Sequence, residues 1–151
     1  MNHTLSAMQK TMTTDYQQKF GDLVMHHGIE VCFRCQCRGS KVPLGHSRDH
    51  AHVKEKKICL SNPPTSYGRF LTALHEIGHI VAEKADYQSG VPRSLAEHNA
   101  TEWAYARMRE MGLLIKRKHK AKYDAYIRSK IDRGLRRGLQ IIPKELRKYK
   151  I

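Results

Sequence analysis

No uninterrupted apolar run in this chain approaches the ~18 residues of a membrane-spanning helix, so a transmembrane protein is not expected. Residues 1–10 are polar and lack the apolar stretch of a secretory signal, which makes the cytoplasm the expected compartment. Cysteine is scarce: Cys32, Cys35, Cys37 and Cys59 are the only four. Without an export signal they read as reduced thiols or metal ligands rather than a disulfide frame. No internal repeat or low-complexity tract is present, so a solenoid or a disordered tract is not expected. Acidic residues are also few, 14 against 28 Lys and Arg, leaving a net charge of +14.

That charge is unevenly spread. Residues 112–151 hold 14 basic and 3 acidic side chains, an excess of 11, whereas residues 1–111 have an excess of only 3. A concentrated positive field favours polyanions such as DNA or RNA, or acidic protein surfaces; a merely solvated face is the plainer reading. The chain therefore reads as a folded domain over 1–111 and a basic, mostly helical extension over 112–151. With 151 residues, 40% of them hydrophobic, it is long enough to bury a core.

Phe20, Leu23, Val24 and His27 recur at helical spacing, predicting a helix over 9–27 that stops at Gly28. Ile29, Val31, Phe33 and Cys35 alternate, predicting a strand over 29–35. The Gly-, Pro-, Ser- and His-rich stretch 38–52 reads as a loop, and KICL at 57–60 as a second strand ended by Asn62-Pro63-Pro64. Helices are expected from Thr65 or Ser66 to Ala85, over 94–112, and over 116–139. The expected class is α+β, with a short antiparallel sheet, an active-site helix and flanking helices.

Within the helix at 65–85 lies His75-Glu76-Ile77-Gly78-His79, an H-E-x-x-H pattern. Residues four apart share a helical face, so both imidazoles can reach one ion. The intervening glutamate is offset, which suits a base acting on metal-bound water. The flanking Phe70, Leu71, Leu74, Ile77, Ile80 and Val81 are apolar, and burying two histidines without partners is costly. A catalytic zinc site needs a third protein ligand and an open position. Glu97, 18 residues after His79, is the candidate, with His98 and Glu102 as rivals. Glu97 has a competing role: Ser94-Leu95-Ala96-Glu97 fits a capping box, in which its carboxylate would turn back to the Ser94 backbone.

HEIGH preceded by KICLS, together with Glu97-His98-Asn99-Ala100-Thr101-Glu102-Trp103-Ala104, resembles the ImmA/IrrE family of metallopeptidases, whose second motif is E-x-x-A-(D/N)-x-(F/W)-A. Thr101 stands where that family usually has Asp or Asn, and the Cys-rich strand and basic tail are not part of its pattern. The resemblance spans about 29–111. It implies a compact zincin-like (gluzincin-like) domain, zinc held by His75, His79 and Glu97, Glu76 as general base, and limited cuts in a protein partner. Members often act on repressors in phages, mobile elements or stress circuits. Tyr67, Tyr87, Tyr105 and His98 are candidates to stabilise the oxyanion.

Two rival functions fit the same residues. A SprT-like protease acting on DNA-bound proteins would need a third histidine, for which His98 is the near candidate. A non-enzymatic nucleic-acid-binding module would use the metal structurally. Cys32, Cys35, Cys37 and Cys59, with His46, His50 and His52, could also hold a second, structural zinc. On a continuous strand, however, Cys32 would face away from Cys35 and Cys37, and idle thiols are commoner.

Overall fold

In the computed structural model, helix α1 (His3–His27) ends where the sequence predicts a stop. Gly28 takes φ +64°, its N–H donates to the Met25 carbonyl, and the Ile29 N–H donates to that of Val24. This is a Schellman closure, which needs a left-handed residue and so favours glycine. The described residues are 3–34, 49–86, 88 and 90–150, with the backbone alone for 3–14.

The chain forms two compact units, residues 1–77 and 78–151. In the first, β1 (Glu30–Phe33), β2 (His50–His52) and β3 (Lys57–Leu60) make one sheet in the order β1-β3-β2. β3 is central, and Ile58, Cys59 and Leu60 are buried. The sheet is mixed, which corrects the antiparallel sheet expected from sequence. β2 runs antiparallel to β3, but β1 runs parallel to it, with Val31 opposite Ile58 and Cys32 opposite Cys59. Parallel pairing needs a long crossover between partners. The chain from β1 to β3 provides one, and β2 fills the opposite edge of β3.

β2 also corrects the loop expected over 38–52, of which 38–48 lies outside the described residues. β1 stops at Phe33, because Arg34 turns the backbone at φ +52° while its N–H still donates to the Leu60 carbonyl. Cys32 is disulfide-bonded, which corrects the reduced thiol expected at that position, while Cys59 keeps the thiol expected of it, buried.

Helix α2 (Tyr67–Val81) starts where Ser66 can cap it, the Ser66 hydroxyl oxygen accepting the Arg69 N–H at 3.3 Å. Phe70, Leu71, Ala73, Leu74 and Ile77 are fully or nearly fully buried, and Tyr16 of α1 stacks on Phe70 with ring centroids 5.0 Å apart.

The second unit holds α3 (Arg93–Glu110), α4 (Arg117–Arg136) and a short 3-10 helix, η1 (Lys144–Tyr149). Leu95 of α3, Ile127 and Ile131 of α4, and Leu146 and Tyr149 of η1 form one buried cluster. The basic residues of 112–151 thus sit on elements that share a core with α3. Gly112, at φ +73°, closes α3 as Gly28 closes α1. Among the described residues, no helix is long and apolar enough to cross a membrane.

Candidate metal centre

α3 begins two residues earlier than its capping-box reading requires. Pro92 is the cap and makes no side-chain cap hydrogen bond, so Ser94 already lies inside the helix. Glu97 is thereby released from a capping role. Its Oε2 stands 3.2 Å from His79 Nε2, and both side chains are 4% exposed. His75 sits one turn earlier on α2, and one donor atom from each of His75, His79 and Glu97 lies within 4.8 Å of the others. In a tetrahedral zinc site with bonds of about 2.0–2.2 Å, two donor atoms sit about 3.3–3.5 Å apart, so the His79–Glu97 spacing fits a shared ion.

The hydrogen bonding around His79 sharpens this. Its Nδ1 lies 2.7 Å from the Ala85 carbonyl oxygen, which can only accept, so Nδ1 carries the proton. Nε2 then faces a carboxylate oxygen. If the imidazole is neutral, a lone pair meets an anion, an arrangement that a bound cation resolves. A backbone carbonyl behind a ligating histidine is also a common support for zinc ligation, fixing tautomer and ring orientation.

The Ala85 carbonyl is itself held in place. Lys84 takes φ +53°, and the Asn99 side-chain amide donates to its carbonyl at 3.0 Å. The neighbouring residue of the α3 motif, Ala100, is fully buried against Gly78. Thr101 donates its hydroxyl to the Glu97 carbonyl at 2.8 Å, bracing the α3 backbone at the ligand.

Two neighbours of Glu97 were not foreseen from sequence. The Tyr126 hydroxyl on α4 donates to Glu97 Oε1 at 3.2 Å, and Arg93 Nε stands 3.7 Å from the same oxygen. Lys130 lies over the Tyr126 ring at 4.7 Å. Burial lowers the Lys130 pKa, and the positive charge of Arg93 lowers it further. The available signal for Tyr126 was its place beside the apolar stripe of Tyr123, Ile127 and Ile131.

Glu76 is buried, with 7% exposure, beside His75. The rival ligands point elsewhere. His98 Nδ1 lies 2.8 Å from the Tyr149 hydroxyl, and burial lowers the His98 pKa. Glu102 is 3.9 Å from Lys148 and half-buried. Of the oxyanion candidates, Tyr87 lies outside the described residues. The Tyr105 hydroxyl is buried without a hydrogen-bond partner among the described residues, and burial raises its pKa.

Comparison with family models, curated proteins and solved structures gives no match for this chain.

Proposed function

We propose that this chain is a zinc-dependent endopeptidase of zincin-like fold, similar to the ImmA/IrrE metallopeptidases, that makes limited cuts in a protein partner in the cytoplasm. In that compartment the Cys32 disulfide would be reduced. The observation that carries the reading is the approach of His79 Nε2 and Glu97 Oε2 to 3.2 Å in a buried setting, with His79 Nδ1 held on a carbonyl.

The donor set of two imidazoles and one carboxylate suits zinc with a position left open for water. Zinc bound there would supply Lewis-acid activation of a water and of the scissile carbonyl. With zinc bound, Glu76, the residue next to His75, would serve as the base that accepts a proton from the attacking water and returns it to the leaving amine. Its buried position keeps bulk water from competing for the proton. The Ala85 carbonyl and the Tyr126 hydroxyl hold the ligand side chains in register. Arg93 and Lys130, close to Glu97, favour a substrate that presents carbonyl or carboxylate oxygen there.

The carboxylate ligand favours this reading over a SprT-like protease, because His98 is engaged by Tyr149 rather than by His75 and His79. The surface of α4 and η1 supports a polyanionic partner, DNA or RNA, or a substrate protein bound to it. Lys118, Lys122, Arg133, Arg136, Arg137 and Arg147 all project into solvent.

The deciding experiment is metal analysis of the purified chain and of His75→Ala, His79→Ala and Glu97→Ala, paired with cleavage assays on candidate partner proteins. The expected result is loss of one zinc per chain, and of cleavage, in all three variants. Full zinc occupancy in His75→Ala and His79→Ala would overturn the site. Zinc binding with no cleavage of any protein would favour the non-enzymatic module.

A further inference from the structure

We propose that His50, His52 and Cys59 form a second metal site, selective for zinc or a similarly soft divalent ion, on the β2–β3 ladder. The site is separate in sequence and chemistry from the His75/His79/Glu97 set and does not depend on the peptidase reading.

The ladder itself brings the three side chains together. His50 and His52 are two residues apart on one strand, so they point to the same face. His50 pairs directly with Cys59 across the antiparallel ladder, and directly paired residues also share a face. Ala51 and Ile58, which alternate with them, take the opposite face, and both are buried. One nitrogen from each histidine and the Cys59 sulfur all lie within 4.8 Å of one another.

The two imidazoles hydrogen-bond to each other, and the same spacing suits a shared ion. His50 Nε2 and His52 Nε2 are 3.1 Å apart, with the rings nearly perpendicular at 82°. Tetrahedral zinc with Zn–N bonds of about 2.0–2.1 Å would place two imidazole nitrogens about 3.3 Å apart. Cys59 is 1% exposed, whereas both histidines are half-buried, so the thiol closes the inner end of the cluster and the imidazoles its outer end. A thiolate with two imidazoles selects zinc-like or softer ions over magnesium and calcium, which take oxygen ligands. Three protein donors leave one position for water or a further ligand.

The chemistry also suits the place. β2 is only three residues long and sits at the edge of the sheet, so its few ladder bonds hold it weakly. An ion bridging His50 and His52 to Cys59 would tie β2 to the buried central strand. The sequence offers Cys59, His50 and His52 among seven candidate ligands, and the ladder brings these three together. Among the described residues it is Cys59, on the other strand, that meets the histidines.

Cobalt(II) separates this site from the α2–α3 set, since only a cysteine thiolate gives a sulfur-to-cobalt charge-transfer band in the near ultraviolet. The whole chain, kept reduced with a non-thiol reductant, is stripped with a chelator and titrated with cobalt. We expect a thiolate band in the wild type and in His75→Ala. We expect its loss in Cys59→Ser and its marked weakening in His52→Ala. Metal analysis should show one ion fewer in each of those last two variants than in the wild type. His52 is half-buried, so His52→Ala provides a folded variant should Cys59→Ser not fold. Absence of the band in the wild type overturns the proposal, as does a band of full strength in Cys59→Ser or His52→Ala. A wild-type and a His52→Ala chain with equal metal content also overturn it.

Discussion

Gly78 and Ala100 approach more closely than a side chain at position 78 allows. A Cβ on Gly78 would lie 2.6 Å from the Ala100 carbonyl oxygen and 3.0 Å from its Cα. Ordinarily alanine is favoured over glycine inside a helix by ~1 kcal/mol. Here the obstacle is backbone, which cannot rotate away as a flexible side chain would. Gly78→Ala is therefore expected to destabilise the chain by about 1–3 kcal/mol, as overpacking does. It should also weaken zinc binding, because Gly78 adjoins His79 and Ala100 lies on the helix of Glu97. Urea unfolding together with zinc titration tests this. A more stable variant with unchanged zinc affinity would show that the helices give way without cost.

Glu76→Gln is expected to keep the fold and the zinc while losing hydrolysis by at least ~10²-fold, the usual consequence of removing a general base. Glutamine preserves the shape of the buried side chain but cannot accept the proton. Zinc content and turnover are measured on the same preparation. Undiminished cleavage with full zinc would assign the base to another residue.

The Tyr126 hydroxyl is expected to tune the metal through Glu97. Tyr126→Phe removes one donor and little volume, and loss of such a support weakens metal affinity by about 10–100-fold. Competition against a chromophoric chelator reads this directly. Equal affinities would mean that Glu97 is held adequately by its own helix.

Binding of duplex DNA is expected to fall steeply with salt. If about five phosphates are neutralised, the log–log slope should lie near −4 to −5. Reversing Arg133, Arg136 and Arg137, all exposed, tests the contact without disturbing Ile127 and Ile131 of the buried cluster. Deleting residues 112–151 would be a poorer test, since it strips Leu95 of its packing partners. Equal binding by the wild type and the charge-reversed chain would end the nucleic-acid reading.

The parts of the fold that sequence disclosed were those with a local cause. The strand at 57–60, the start of α2 beside Ser66 and the stop of α1 at Gly28 follow from periodicity, capping and a left-handed glycine. What escaped depended on partners distant in the chain. His50-Ala51-His52 is too short, and sits beside too many loop-forming residues, to declare itself a strand before β3 is there to pair with it. The parallel course of β1 depends on the crossover to β3 and not on its own residues. At the site, the i,i+4 spacing of His75 and His79 and the downstream Glu97 were all legible. The capping reading of Glu97 turned on a two-residue shift of the helix cap, from Ser94 to Pro92. Tyr126, 29 residues beyond Glu97, could be recognised only once α4 was docked beside α3.

The hydrogen bond from Tyr126 to Glu97 joins two properties on one rigid rod, since α4 carries both that hydroxyl and the solvent-facing arginines. Whatever shifts α4 alters the setting of Glu97, and whatever fixes Glu97 restrains α4. By thermodynamic linkage, the factor by which a polyanion changes the affinity for zinc must equal the factor by which zinc changes the affinity for that polyanion. If the proposed zinc and polyanion both bind, the state of one surface would be legible as the equilibrium constant of the other.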